Sequence, residues 1–468
     1  MQVINWLVKK ISSFFRFKRG YGNGRDKVYQ LDKIFTPSSP AQDNYVPRAE
    51  IEKLFKRSLK TRGRQIVVYG YSGVGKSSLV LNSLKEAGID WYNSETDTGG
   101  DSRLRYIICN CVKQTSIQDL IKNAFEQLGV FYKDEKSSDR STSSKSQAKI
   151  LAPGGSAERT VESEQRTKEE FKIVTPPELT PQNLAKYLGE TGILWIIEDF
   201  QNVQENERAT IIDIVKIFSD QSVHYKDLKI ICIGAESTAR QIVDFDEGMK
   251  ERVVEIQVPL FEVDQVYSIV KSGFRMLNIE IADTVAGEIA KYSNSVAAVA
   301  HSLCLSICQD FNIDSTCAQP LTMDNVDMKT AINSYILNKK LAFKQTLDKV
   351  VRPGTGMDKS KELILKAMLS LDNESVRSGE ILDRIISIYP EFNHDNLDSS
   401  LKKLTGIEND EILIYDKQRK EYRFKNPLFK AFTRLAFDDK YQGMDLSSGD
   451  DIYFTNDLIE LIVAPLIK

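Results

Sequence analysis

Residues 70–78 read Gly70, Tyr71, Ser72, Gly73, Val74, Gly75, Lys76, Ser77 and Ser78, and they fill the pattern G-x-x-x-x-G-K-[ST]. The glycines let consecutive backbone N–H groups turn inward around phosphate oxygens. Lys76 is long enough to reach the β and γ oxygens of a nucleoside triphosphate, and the Ser77 hydroxyl suits Mg²⁺. A β-branched run at 66–69 precedes the loop and a helical pattern over 76–87 follows it, so a helix N-terminus points at the same anion. Gly70, Ser72, Gly73, Val74, Gly75, Lys76, Ser77 and Ser78 are therefore the expected phosphate-binding set.

A magnesium nucleotide also requires a carboxylate. Glu198 and Asp199 end the apolar run 193–197, and by register Glu198 takes the metal position with Ser77 while Asp199 takes the place that orients water. The commoner order is aspartate then glutamate. With Asp second, one methylene is missing, about 1.5 Å of reach on ordinary bond lengths, which predicts slow hydrolysis. The run 229–233 leads into Gly234, Ala235, Glu236 and Ser237, whose polar end is expected near the γ-phosphate. Arg240 and Arg252 follow, and either is a candidate arginine finger, within the subunit or across an oligomer interface. The expected catalytic set is Lys76, Glu198, Asp199 and Arg252.

These residues need a scaffold. Short, nearly continuous apolar runs at 66–69, 106–112, 193–197 and 228–233 suit strands covered on both faces, and helical patterns at 117–128 and 209–218 supply the cover. The fold class is α/β, a parallel right-handed sheet with the phosphate loop after its first strand. Helical segments at 263–277, 281–292 and 296–311 make a helical lid. Three more, at 363–371, 378–388 and 394–404, precede an apparent hairpin, 412–416 and 422–425, which is the order of a winged helix.

The expected organisation is an amphipathic helix at 1–20, a linker at 21–44, and a nucleotide domain at 45–260 with a low-complexity insertion at about 133–181. A lid at 261–345, a winged helix at 355–440 and a tail at 441–468 complete it. The insertion, rich in Ser, Lys, Glu and Thr, lacks the apolar surface to offset its ordering entropy. The 468 residues carry 63 Lys and Arg against 66 Asp and Glu, so no global charge excess announces a nucleic acid. The six cysteines form no C-x-x-C pair and read as buried free thiols of a cytoplasmic protein rather than zinc ligands. The stretch 1–20 is too short and interrupted to span a bilayer. Peripheral membrane contact and docking on protein both stay open for it.

In the winged helix, Lys417, Arg419 and Lys420 give the wing a positive tip that could neutralise DNA phosphates. The helix expected to enter the groove opens with His394, Asp395 and Asp398, which argues for protein docking or intramolecular restraint instead.

Tyr45, Val46, Pro47, Arg48 and Glu50 are similar to an F-V-x-R-x-E segment. Together with the 70–77 loop, the strand end Ile196, Ile197, Glu198, Asp199 and Phe200, and Arg252 with residues 253–259, they make the chain resemble the STAND and AAA+ group of P-loop ATPases. The resemblance is to the origin-recognition type and to bacterial STAND-like ATPases, and it covers about residues 45–310. It implies that ATP is the nucleotide, that Val46 and Arg48 lie near its base, and that the chain assembles as a homo-oligomer with an effector or regulatory protein partner. Residues 293–297 offer neither the G-x-P turn nor the sensor arginine of that group. With the reversed acidic pair, this points to a switch ATPase that couples nucleotide state to oligomerisation and partner engagement, as in bacterial antiviral defence. The alternative is a DNA-engaging assembly or loader ATPase of the origin-recognition or transposition-regulator kind.

Overall fold

The computed structural model describes residues 27–93, 103–129, 131–133, 150–151, 171–173, 179–235, 249–339, 341–351, 359–371, 373–406 and 411–437. The stretch 1–20, most of the insertion at 133–181, Glu236, Ser237, Arg240 and the tail at 441–468 lie outside the described residues.

Residues 21–44 are expected as a linker, but from Lys27 onward the chain is packed. Tyr29 and Leu31 donate their amides to the Thr316 hydroxyl at 2.9 Å and the Asp314 carbonyl at 2.8 Å. The short helix α1 (Leu31–Ile34) and Phe35 then bury three apolar side chains against later helices. The composition of 20–44 conceals this, because the apolar anchors are few and are flanked by glycines at 20–24 and prolines at 37 and 40.

Helix α2 (Ala49–Lys60) leads into β1 (Gln65–Tyr69), the phosphate loop and α3 (Lys76–Glu86). The strands β2 (Asp90–Trp91) and β3 (Arg105–Asn110) and the helix α4 (Ile117–Gln127) follow. The short strands β4 (Phe131–Lys133), β5 (Ile150–Leu151) and β6 (Phe171–Ile173) pair antiparallel in the order β5-β4-β6. Helix α5 (Pro181–Thr191) has three sequence signals at its ends. The Thr180 hydroxyl accepts from the Asn183 amide, Pro181 opens the first turn, and Gly192 closes the helix in the left-handed region. Strand β7 (Ile193–Glu198), helix α6 (Arg208–Gln221) and strands β8 (Ile230–Gly234) and β9 (Val253–Gln257) complete the unit.

The central sheet has the order β2-β3-β7-β8-β1-β9, and every neighbouring pair is parallel. The apolar runs of the inner strands are continuous because each of these strands feeds two cores. Val67, Ile107, Trp195 and Cys232 face one layer of helices, while Ile66, Val68, Ile196 and Ile231 face the other. This is the α/β, doubly covered parallel sheet of a P-loop NTPase. The edge strands β2 and β9 are not among the four expected strands. One is two residues long, and the apolar run of the other is broken by the exposed Glu255 and Gln257.

The region read as a wholly helical lid contains α7 (Val263–Met276), β10 (Ile279–Ile281), α8 (Asp283–Tyr292), α9 (Ala297–Asp310) and β11 (Leu321–Met323). Strands β10 and β11 pair in parallel, so Ile281 belongs to a strand and α8 starts two residues later than its apolar pattern suggests.

After α10 (Met328–Lys339) and α11 (Leu341–Val351) come α12 (Ser360–Leu371), α13 (Ser378–Ile388) and α14 (Asp395–Leu404). The antiparallel hairpin β12 (Leu413–Asp416) and β13 (Glu421–Phe424) follows, then α15 (Pro427–Phe437). The order of three helices and a hairpin is present, with a bridge from Val376 to Tyr422 beside it. One continuous apolar core runs from α1 through the lid into this C-terminal unit. No described helix is long and apolar enough to cross a membrane. All six cysteines are free and five are buried. Burial pushes the Cys109, Cys111, Cys232 and Cys308 thiols up to about 12, so they are neutral at physiological pH.

Candidate phosphate-binding site

The loop after β1 takes its shape from contacts on both sides. Gly70 has φ 153°, and a Cβ there would meet the Val258 carbonyl oxygen at 2.3 Å, so only glycine lets β9 end against the loop. Gly73 has φ 80°, and its carbonyl accepts from the Ala298 amide at 3.2 Å, at the start of α9. Arg48 donates to the Val74 carbonyl at 2.8 Å and to the Pro259 carbonyl at 2.6 Å, with its guanidinium 3.6 Å above the Phe261 ring. In a planar trans peptide the carbonyl and the next N–H point in opposite directions. Fixing the Gly73 and Val74 carbonyls on the outside therefore turns the Val74 and Gly75 N–H groups toward the cradle.

Inside the loop, Lys76 Nζ donates to the Gly70 and Tyr71 carbonyls at 3.0 and 2.9 Å. Desolvation lowers its pKa, while Asp199 and Glu198 pull it back toward the charged form. The Ser77 hydroxyl donates to Glu198 Oε1. Registers explain the meeting: Tyr69 pairs with Gly234, Glu198 with Ile233, and Asn110 with Glu198, so the carboxyl ends of four strands lie side by side. Hydroxyl and carboxylate oxygens converging at the loop form a hard donor set suited to Mg²⁺.

Asp199 is exposed and left-handed, with φ 55°, and accepts from the Gln201 side-chain amide at 3.0 Å. Gln201 in turn accepts from the Ala235 amide at 3.0 Å, tying the tip of β7 to that of β8. The polar end expected beyond β8 begins with Ala235, and the residues after it lie outside the described residues.

A cavity of about 560 Å³ opens beside the loop. Lys76, Ser77, Glu198 and Asp199 line it together with Asn44, Val46 and residues 36–41. Segment 36–44 is a wall of the site. Ala41 donates its amide to the Ser78 hydroxyl at 2.9 Å, and its carbonyl accepts from Asn82 at 2.7 Å. Thr36 donates its amide to His301 Nδ1 at 3.0 Å, and Phe35 packs on Phe274 and His301. Ser78 thus anchors the wall as well as lining the cavity.

Several sequence-derived candidates are placed differently from expectation. Arg48 lines the cavity, but its donors are engaged by two carbonyls, and burial lowers its pKa to about 10. It braces the loop from a position that lines the cavity. Glu50, in the resembling segment, is exposed and faces Lys53. The buried carboxylate is Glu52, which accepts from the Arg48 amide at 2.8 Å and the Tyr45 hydroxyl at 2.7 Å. Arg252 precedes β9, and its carbonyl pairs with the amide of Gln65 at the start of β1, the end of the strand opposite the loop. Its guanidinium lies 2.7 Å from Asp220, so within one subunit it does not join the site. Between Gly70 and Arg252 stands the whole of β1, about 16 Å at strand rise.

Asn110, His301 and Arg423 line or contact the site and were missed by the sequence reading. Asn110 ends β3 but lies inside the apolar run 106–112, so no polar terminus marked it. Arg423, on β13, donates to the Tyr71 hydroxyl, and Leu428 Cδ2 lies 3.4 Å from where a Gly73 Cβ would sit. No local pattern marks either residue as a neighbour of the phosphate loop.

The sheet order, the loop after β1 and the acidic tip of β7 define a P-loop NTPase fold. Among solved structures, the Walker-type ATPase paby2304 of Pyrococcus abyssi superposes with a TM-score of 0.50 at 14% identity, over 86% of this chain and 99% of that one. The Aeropyrum pernix ORC2 protein in its ADPNP–ADP complexes gives a TM-score of 0.42 at 12% identity, over 86% and 96% of the chains. The Aeropyrum pernix ORC1 protein in complex with DNA gives 0.42 at 13% identity, over 88% and 97%. No family model matches the chain, and no curated protein is similar to it in sequence.

Proposed function

We propose that this chain is an ATP- and Mg²⁺-binding switch in which the phosphate loop reports its occupancy to the lid and the C-terminal unit. The carrying observation is that Tyr71 has two holders: its carbonyl accepts from Lys76 and its hydroxyl from Arg423. A triphosphate supplies oxygens that compete for Lys76, and Mg²⁺ supplies a charge to be shared by Ser77 and Glu198. Lys76 then releases the Gly70 and Tyr71 carbonyls, which loosens the loop segment that Arg423 grips. The inward N–H groups of Val74 and Gly75 hold phosphate, and the 36–46 wall encloses the base.

Hydrolysis on this reading is slow. Asp199 is short and bonded to Gln201, and among the described residues no arginine but Arg48 lines the cavity. Turnover on the order of one per minute or less is expected for an isolated copy, as for P-loop enzymes that lack a finger. An arginine from a second copy would raise it, so assembly and turnover are linked. The test is titration with a fluorescent ATP analogue and Mg²⁺, alongside a turnover assay. Wild type binds, and Lys76→Ala loses at least tenfold in affinity. Equal affinity in the two proteins would overturn the reading.

A second reading, engagement of duplex DNA, rests on the exposed hairpin tip Lys417, Arg419 and Lys420, where Asp416 holds the turn through the Gln418 and Arg419 amides. Replacing all three cations by Ala should then reduce the log–log salt slope of DNA binding by about 3. An unchanged slope, or no DNA binding by wild type, removes it.

A further inference from the structure

A groove of about 500 Å³ lies between the phosphate loop and the C-terminal unit. Tyr71 lines it from the loop, Ala235 from just past the tip of β8, and Phe343, Ile414 and Phe429 from α11, β12 and α15. Its wall is largely apolar, and it opens to solvent. Ile414 pairs with Arg423 across the hairpin, so both side chains project from the hairpin face that meets the loop. Each is only half-buried. Phe343 also stays half-buried, although it packs edge-on against Phe429 with ring centroids 5.4 Å apart. The charged lining residues are Arg423, on the Tyr71 hydroxyl, and Lys425 and Glu411, which pair with each other, so the groove carries a small net positive charge.

We infer that this groove is the docking site of the chain's own acidic tail, with Phe454, Leu458, Leu461 and Ile462 as the apolar contacts. These residues lie outside the described ones, and reach, pattern and charge all point to them. Residues 438–453 can extend to about 50 Å, whereas α15, whose first residues line the groove, is about 16 Å long. The four apolar residues recur at i, i+4, i+7 and i+8, the spacing of one helical stripe, which needs a surface to cover it. Residues 438–468 carry seven carboxylates against two lysines, which complements the groove. The other amphipathic stretch, 1–20, carries five cations and no carboxylate and is disfavoured there. The volume holds a few large side chains and not a folded partner. A docked tail touches the loop and the hairpin together, so it reinforces the contact between Arg423 and Tyr71.

The test places the photoreactive residue p-benzoylphenylalanine at position 414 of the full chain, with irradiation at low protein concentration and mass spectrometry of the digest. Attachment to peptides within 451–468 of the same chain is expected. A second probe at position 346, on α11, should give the same product and guards against a folding defect at the first. Leu458→Asp together with Ile462→Asp, outside the apolar cores described above, should lower the yield about tenfold, as the loss of two apolar contacts does. Attachment only to residues 236–248, attachment only between two copies, or none at either probe overturns the inference. So does an unchanged yield in the double variant. Every outcome is read without nucleotide, so a failure of the ATP reading does not bear on it.

Discussion

Arg48 illustrates how one side chain sets the chemistry of a loop it does not belong to. Its two carbonyl acceptors and the Phe261 face need a planar fork, which an ammonium does not provide. Arg48→Lys should therefore resemble Arg48→Met more than wild type. Both leave a buried carbonyl unpaired, cost about 1–3 kcal/mol in urea unfolding, and weaken ATP-analogue binding. Wild-type affinity in Arg48→Lys would mean that charge alone matters. At the metal position, Glu198→Gln keeps the size of the side chain and removes the charge. Magnesium dependence of nucleotide binding should disappear while a residual, metal-independent affinity persists, read by titration with and without EDTA. The 70–78 loop was legible in the sequence because its function is written in backbone freedom and one lysine at fixed spacing. The role of Arg48 was not, because Val74, Pro259 and Phe261 come together only in the fold.

Elements show the same division between what is local and what is not. The central strands could be read from apolar runs, since a strand covered on both faces leaves a mark at every position. The wall at 27–44 could not, because its apolar residues are few, the stretch 37–40 is Pro-Ser-Ser-Pro, and its anchor is the pair α1 and Phe35. Phe35 is fully buried and lies against Phe274 and His301, with Gly273 close beneath. Phe35→Ala should cost about 3–5 kcal/mol, and it should also loosen Thr36 and Ala41, lowering nucleotide affinity more than an equally destabilising change in α13. Lys229, at the edge of β8, is buried with its ammonium on the Thr61 and Arg64 carbonyls, and burial lowers its pKa to about 8. Between that value and the ordinary lysine range the unfolded chain binds more protons than the folded one, so this group makes stability rise with pH. In urea unfolding from pH 8 to 10, Lys229→Met should lack that rise, and an identical pH slope in both proteins would discount the buried ammonium.

Within the molecule, the C-terminal unit is joined to the lid far more extensively than to the phosphate loop. The lid and the C-terminal unit share one continuous core, from Phe35 and Ile289 through Ile332 and Leu365 to Phe432. Such a junction opens only at a cost near that of global unfolding. The C-terminal unit meets the phosphate loop through much less, with Arg423 on Tyr71 and Leu428 beside Gly73. Motion should therefore concentrate at the loop and leave the lid and C-terminal unit moving together. Hydrogen exchange tests this directly. Adding ATP and magnesium should raise exchange in peptides covering 421–429 and leave the core amides of α9 and α12 unchanged. Arg423→Ala should show the raised exchange at 421–429 without nucleotide, because the competing grip on Tyr71 is gone. If instead the amides of α9 and α12 respond to ATP together with those at 421–429, the lid and C-terminal unit do not move as one body. The switch would then lie between α10 and α15, and Tyr71 would be a bystander.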